Sequence, residues 1–175
     1  MGSGVLLLVE DHEGWHRSIA RRAERAGYAV RGAYACGPAR EMVARQRFAM
    51  AIVDVHLPDG LGFGLVPLIR QSSPGCRVLM ASGLPCERAA RMAAEAGADE
   101  FATSTVETVD RFLRGESAAP TTKPRRATLD EVKVDYINTV MLEVEGNRST
   151  AASVLGIKRQ SLQRMLRKHS PSRGE

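Results

Sequence analysis

The chain has 175 residues, 43% of them hydrophobic and 26% charged, with a formal net charge of +5. That length holds one medium domain, or one medium and one small domain with separate cores, and no internal repeat or low-complexity segment is present. Three cysteines without CxxC spacing (Cys36, Cys76 and Cys86) argue against a disulfide framework and fit a reducing cytosol, and the apolar run Val5 to Val9 is too short for a signal core or a membrane span.

In chain order, Val5-Leu6-Leu7-Leu8-Val9 reads as a strand buried on both faces, the kind a parallel sheet needs, and it ends in two acids, Glu10 and Asp11. Trp15 to Ala26 predicts a helix closed by Gly27, with Trp15, Ile19, Ala23 and Ala26 on one face. Tyr28 to Ala33 predicts a second strand, and Pro38 to Gln46 a helix opened by proline. Phe48 to Val53 is another fully apolar run. It delivers Asp54 at its carboxyl end, just before the turn Leu57-Pro58-Asp59-Gly60. Gly62 to Gln71 predicts a shorter helix, in which Pro67 fits only in the first turn. Arg77 to Ala81, ending at Ser82-Gly83, predicts a fourth strand; Glu87 to Ala96 a helix stopped by Gly97; Ala98 to Ala102 a fifth strand; and Val106 to Arg114 a last helix. Strands alternating with helices in this way predict an α/β domain over residues 4–115, a five-stranded doubly wound parallel sheet.

Composition then changes. Residues 116–126, rich in proline and small polar residues, predict a linker, and residues 127–170 a small all-α domain. Thr128 and Glu131 have the spacing of a capping box, and Val132, Tyr136, Val140 and Val144, with Ile137 and Met141 beside them, form the apolar stripe of a helix ended by Gly146. Ser149 to Leu155 and Lys158 to Lys168 predict two further helices around Gly156, with Ala151, Ala152, Leu155, Ile157, Leu162, Met165 and Leu166 as the shared core. Residues 1–115 carry 14 Arg and no Lys against 13 acids, whereas residues 116–175 carry 11 basic against 7 acidic side chains. A basic C-terminal part predicts a polyanionic partner.

In a parallel sheet with strands one and three side by side, Glu10, Asp11 and Asp54 converge at the carboxyl edge, where open α/β sheets bind their ligands. Carboxylates so close raise one another's pKa unless a cation intervenes, and an all-oxygen ligand set suits Mg²⁺. Such an ion also lets a carboxylate attack a phosphoryl group by screening the charges. Ser82 offers a hydroxyl from the end of strand four.

LLLVEDHE, AIVDVHLPDG, VLMASGLP and AGADEFAT, in this order and spacing, resemble the signature segments of the receiver domain of two-component response regulators over residues 4 to about 115. The resemblance implies that Asp54 accepts phosphate from a cognate histidine kinase. It also implies Mg²⁺ held by Glu10, Asp11, Asp54 and the backbone carbonyl of His56, with Ser82 and Phe101 as switch residues. This chain departs from the family at the end of strand five, where the usual lysine is replaced by Ser104, followed by Thr105; the first lysine is Lys123. A serine supplies a hydrogen bond without charge, and charge-assisted bonds are roughly twice as strong as neutral ones, so the departure implies slower phosphorylation, a weaker readout or both. A neighbouring arginine such as Arg88 is a candidate to make up the charge.

His12-Glu13-Gly14-Trp15-His16 matches the HExxH zinc-peptidase pattern, but His12 falls in a turn, Gly14 weakens the helix, and only His56 and His169 remain as further histidines. A haloacid-dehalogenase-type phosphatase is excluded because His56, not an acid, stands two residues after Asp54. Residues 146–168, GNRSTAASVLGIKRQSLQRMLRK, have the helix, glycine turn and helix of a helix-turn-helix and resemble the Fis-type DNA-binding module. By that resemblance Arg159 is the base reader, Lys158, Ser161, Gln163 and Arg164 border it, and Asn147 and Ser149 stand where the first helix meets a phosphate. Lys168 anchors a further phosphate. One recognition helix reads half a site, so a homodimer is expected on double-stranded DNA, with half-sites about 34 to 36 Å apart.

Receiver, short linker and Fis-type module in this order resemble the RegA/PrrA type of response regulator. The expected function is a cytoplasmic transcription regulator controlled by phosphorylation at Asp54, without a membrane partner and without enzymatic activity beyond weak autodephosphorylation. The rival is an atypical pseudo-receiver that binds DNA independently of phosphate and is controlled by dimerisation or a protein partner.

Overall fold

The computed structural model describes residues 4–83, 87–116 and 129–168. Apolar runs that leave no face for water are stable only between two layers of helices, and the five strands are arranged so. They are β1 (Gly4–Val9), β2 (Tyr28–Ala33), β3 (Met50–Asp54), β4 (Arg77–Ser82) and β5 (Glu100–Thr103), all parallel in the order β2-β1-β3-β4-β5. Chain order reverses between β1 and β3, whose register runs from Leu6 opposite Met50 to Val9 opposite Val53. The crevice beyond this pair is the switch point at which doubly wound sheets bind ligands.

Alternate residues of each strand serve opposite layers. Leu6, Leu8, Ile52 and Leu79 pack with Trp15, Ile19 and Ala23 of α1 (Glu13–Arg25) and Val109 and Phe112 of α5 (Val106–Leu113). Leu7, Val9, Val53, Val78 and Met80 pack with α2 (Cys36–Arg45), α3 (Leu65–Ser72) and α4 (Glu87–Ala96). Full burial of each large apolar side chain contributes about 1.5–3 kcal/mol, so these two layers hold the sheet. Pro67 is the third residue of α3, in the first turn, where its missing N–H breaks no helical bond. A 3-10 turn, Gly62–Gly64, precedes α3, so the helix begins three residues later than its apolar pattern suggests. The loop after Asp54 forms a small antiparallel hairpin, His56–Leu57 with Gly60–Leu61.

The C-terminal part is all helical: α6 (Leu129–Glu143), α7 (Arg148–Val154) and α8 (Arg159–Lys168). Ile137, Val140, Met141, Ala151, Ala152 and Leu162 form its core, with Val144, Leu155, Ile157 and Leu166 packed against them. Two expected core residues lie outside it: Tyr136 is 59% and Met165 36% exposed. The inward face of α6 runs through residues 137, 140, 141 and 144, and one residue earlier is a turn of about 100° away. Leu142, on another side of α6, is buried as part of the core cluster of the α/β domain. The linker residues 117–126, Thr128 and residues 169–170 lie outside the described residues, as do the side chains of Glu131, Val132, Arg167 and Lys168. Among the described residues no helix is long and apolar enough to cross a membrane.

Candidate functional site

Adjacent parallel strands that end level bring their next residues together. Glu10 and Asp11 follow Val9, Asp54 closes β3, and one carboxylate oxygen from each lies within 4.8 Å of the others. This is the one such group of metal-ligating side chains among the described residues. Burial, the charge of Asp54 and the charge of Asp11 push the Glu10 carboxyl well above its usual range, against the pull of the His12 amide, which donates to Oε1 at 3.1 Å. Burial and the Asp11 charge likewise raise Asp54, against the amides of His56 and Val55 and the positive charge of Arg148. The pocket is thus a carboxylate trio whose mutual repulsion an added cation would relieve.

The loop around it is shaped by one close backbone approach and by the Asp59 side chain. A Cβ on Gly62 would fall 2.1 Å from the Asp54 carbonyl oxygen, so only glycine lets this segment pass so close to Asp54, where its amide donates to the Val55 carbonyl at 3.0 Å. The Asp59 carboxylate in the same loop accepts the amides of Cys36 at 2.7 Å and Gly37 at 2.8 Å, capping α2 from a distant turn. Partial burial opposes its charge, but the two amides prevail and hold it below the usual carboxylate range. The sequence marks Asp59 as a turn residue, and its capping of α2 emerges only from the fold.

Ser82 is fully buried at the end of β4, opposite Thr103, and Phe101 lies half-buried on β5 opposite Met80. Ser104, which the resemblance puts at the family's lysine position, is 2% exposed, and its hydroxyl accepts the Trp15 indole N–H at 2.7 Å. Its hydroxyl therefore serves as the acceptor for Trp15. Arg88 does not make up the missing charge: it pairs with Glu143 at 3.4 Å. The cation at the pocket is Arg148, from α7, whose Nη2 lies 3.3 Å from Asp11 Oδ2 across 137 residues of sequence. In the sequence Arg148 is one basic residue among those of the C-terminal part. The one available signal was an acid pocket with no lysine before residue 123.

The HExxH histidines are occupied structurally. His12 caps α1, its Nδ1 accepting the Trp15 amide at 3.1 Å, while His16 is buried and stacked on Tyr34 with ring centroids 4.5 Å apart. In the helical part, Gly156 takes a φ of 64° in the turn that sets α8 against α7, a conformation glycine adopts at least cost. Lys158, Arg159 and Arg164 are exposed on or beside α8, Ser161 and Gln163 are half-buried, and Leu162 anchors the helix. Asn147 and Ser149 are exposed, and the Asn147 Oδ1 caps α7 by accepting the amides of Ser149 and Thr150, each at 3.1 Å.

Residues 6–110 match the family model of the response regulator receiver domain, and residues 128–169 that of bacterial regulatory proteins of the Fis family. The chain is 28% identical over 170 residues to the photosynthetic apparatus regulatory protein RegA of Cereibacter sphaeroides, an alignment covering 95% of this chain and 92% of that protein. Among solved structures, a Burkholderia pseudomallei response regulator carrying a phosphorylated aspartic acid, a calcium ion and citrate superposes with a TM-score of 0.59. It is 27% identical, and the match covers 91% of this chain and 96% of that one. The beryllofluoride-activated NtrC4 receiver domain dimer gives 0.57 at 27% identity, covering 63% and 93%. The receiver match spans the sheet that carries the carboxylate trio and the Fis-family match spans the three C-terminal helices, and the chain belongs to the response regulator family as a transcription regulator with a receiver domain and a DNA-binding helix-turn-helix.

Proposed function

We propose that Asp54 is the phosphoacceptor of this regulator and that Glu10, Asp11, Asp54 and the His56 backbone carbonyl hold Mg²⁺. A receiver implies a histidine kinase as donor. The observation that carries the reading is the convergence of three carboxylates within 4.8 Å, with Glu10 pushed up in pKa by burial and the charges of Asp54 and Asp11, and Asp54 by burial and the charge of Asp11. Such a set fits a small hard cation that takes one or two carboxylates and keeps several waters. When bound, the ion screens the carboxylates and orients the phosphoryl oxygens. Asp54 then supplies the attacking oxygen: an O–P bond forms as the bond to the donor nitrogen breaks, and the kinase histidine departs. Ser82 and Phe101, on neighbouring strands at the same edge, report the new charge as switch residues.

On the output side, Arg159 reads a base edge, Lys158, Ser161, Gln163 and Arg164 border it, and Asn147, Ser149 and Lys168 meet phosphates. The protein acts as a cytoplasmic homodimer on DNA, with no catalysis beyond slow loss of its own phosphate. Beryllofluoride with Mg²⁺ tests the reading: a change in oligomeric state or DNA affinity supports it, and an Asp54→Ala variant should lose the response. Identical behaviour with and without beryllofluoride would instead favour a receiver that regulates without phosphate.

A further inference from the structure

Three contacts surround the ion pair between Arg148 and Asp11. Leu142 is buried in the receiver core, Glu143 pairs with Arg88 at 3.4 Å, and a Cβ on Gly146 would meet Gly60 and Leu61 at 3.5 Å. The corner between α6 and α7 therefore sits on the hairpin beside the acceptor, and its guanidinium faces the carboxylate trio from the output side. Among the described residues of the receiver no lysine is present to do this, and the serine in the lysine's place is bonded to Trp15.

We propose that Arg148 is the resident counter-ion of the acid pocket, and that a divalent cation entering at Glu10, Asp11 and Asp54 competes with it and loosens the α6–α7 corner from the receiver. The inference rests on the reading of the pocket as a cation-holding phosphoacceptor site. Its physical basis is that a divalent ion on the shared Asp11 carboxylate repels a guanidinium a few ångströms away. It also weakens the attraction that draws Arg148 inward. The same arginine stands at the start of the first helix of the DNA-binding pair, so while it is paired with Asp11 it is withheld from a DNA phosphate.

Isothermal calorimetry of the full chain with MgCl₂ tests this on the wild type, Arg148→Ala and Arg148→Lys. Arg148→Ala should bind Mg²⁺ more tightly, on the order of fivefold, as expected for loss of a partly exposed competing ion pair. Arg148→Lys, which keeps the charge, should stay close to wild type. Hydrogen exchange is the second readout: saturating Mg²⁺ should deprotect the α6–α7 corner in the wild type, while that corner in Arg148→Ala should be less protected even without metal. Clear Mg²⁺ binding with equal or weaker affinity in Arg148→Ala overturns the competition and leaves the pocket reading intact. Absence of Mg²⁺ binding in all three proteins overturns the pocket reading and the competition together.

Discussion

Replacing Ser104 by alanine tests what its buried hydroxyl does at the end of β5. The Ser104 hydroxyl accepts the Trp15 indole N–H at 2.7 Å in a site where both side chains are buried. Alanine removes a bond worth about 1 kcal/mol and leaves a buried donor unpaired, for a total of about 1–3 kcal/mol. The Ser104 backbone amide keeps its bond to the Ser82 carbonyl at 3.0 Å, so the strand end itself stays paired. For a domain of this size that loss lowers Tm by roughly 4 °C per kcal/mol. A double-mutant cycle isolates the pair: Ser104→Ala, Trp15→Phe and the double variant, each unfolded in urea and followed by far-ultraviolet circular dichroism. A coupling of about 1 kcal/mol is expected. A coupling within about 0.3 kcal/mol of zero would refute the claim that the hydroxyl's work is to satisfy Trp15.

Other outcomes follow from the same geometry. In a chelating buffer, Glu10 and Asp54 have raised pKa values in the folded state, so the fold holds their protons more tightly than the unfolded chain does. Their stabilising contribution is complete below the unfolded carboxyl values near 4 and is lost as pH rises through the folded ones, about 7 for Asp54 and about 9 for Glu10. Tm should therefore fall between pH 6 and pH 8.5, and Glu10→Gln should flatten that slope; equal slopes would count against the repulsion. Magnesium at ten times its Kd should raise stability by about 1.4 kcal/mol at pH 8, read by thermal unfolding with and without chelator. Asp59→Ala removes the cap on α2 and should cost about 1 kcal/mol, while Asp59→Asn should recover part of it. On DNA, Arg159→Ala should reduce the ratio of specific to random affinity. Lys168→Ala should weaken both equally and lower the salt slope by about one, measured by fluorescence anisotropy at several salt concentrations.

Much of the receiver was legible because its signals are local. Runs such as Leu6 to Val9 and Met50 to Val53 can be stable only in a sheet covered on both faces, and once strands one and three lie side by side, Glu10, Asp11 and Asp54 must meet. Helix bounds were less legible. The α3 pattern concealed a 3-10 turn, and the apolar Tyr136 and Met165 fell beside their core faces because a one-residue offset is a 100° rotation.

The sequence by itself determined the order of strands and helices, the acid trio and the basic second helix of the C-terminal pair, since each is set by periodicity, turn chemistry or charge within a short window. Only the tertiary structure decided that Asp59 caps α2, that Ser104 answers Trp15 across 89 residues, and that Arg148 meets Asp11 across 137. Such pairings depend on how packed elements approach one another, and neither local propensity nor composition carries that distance.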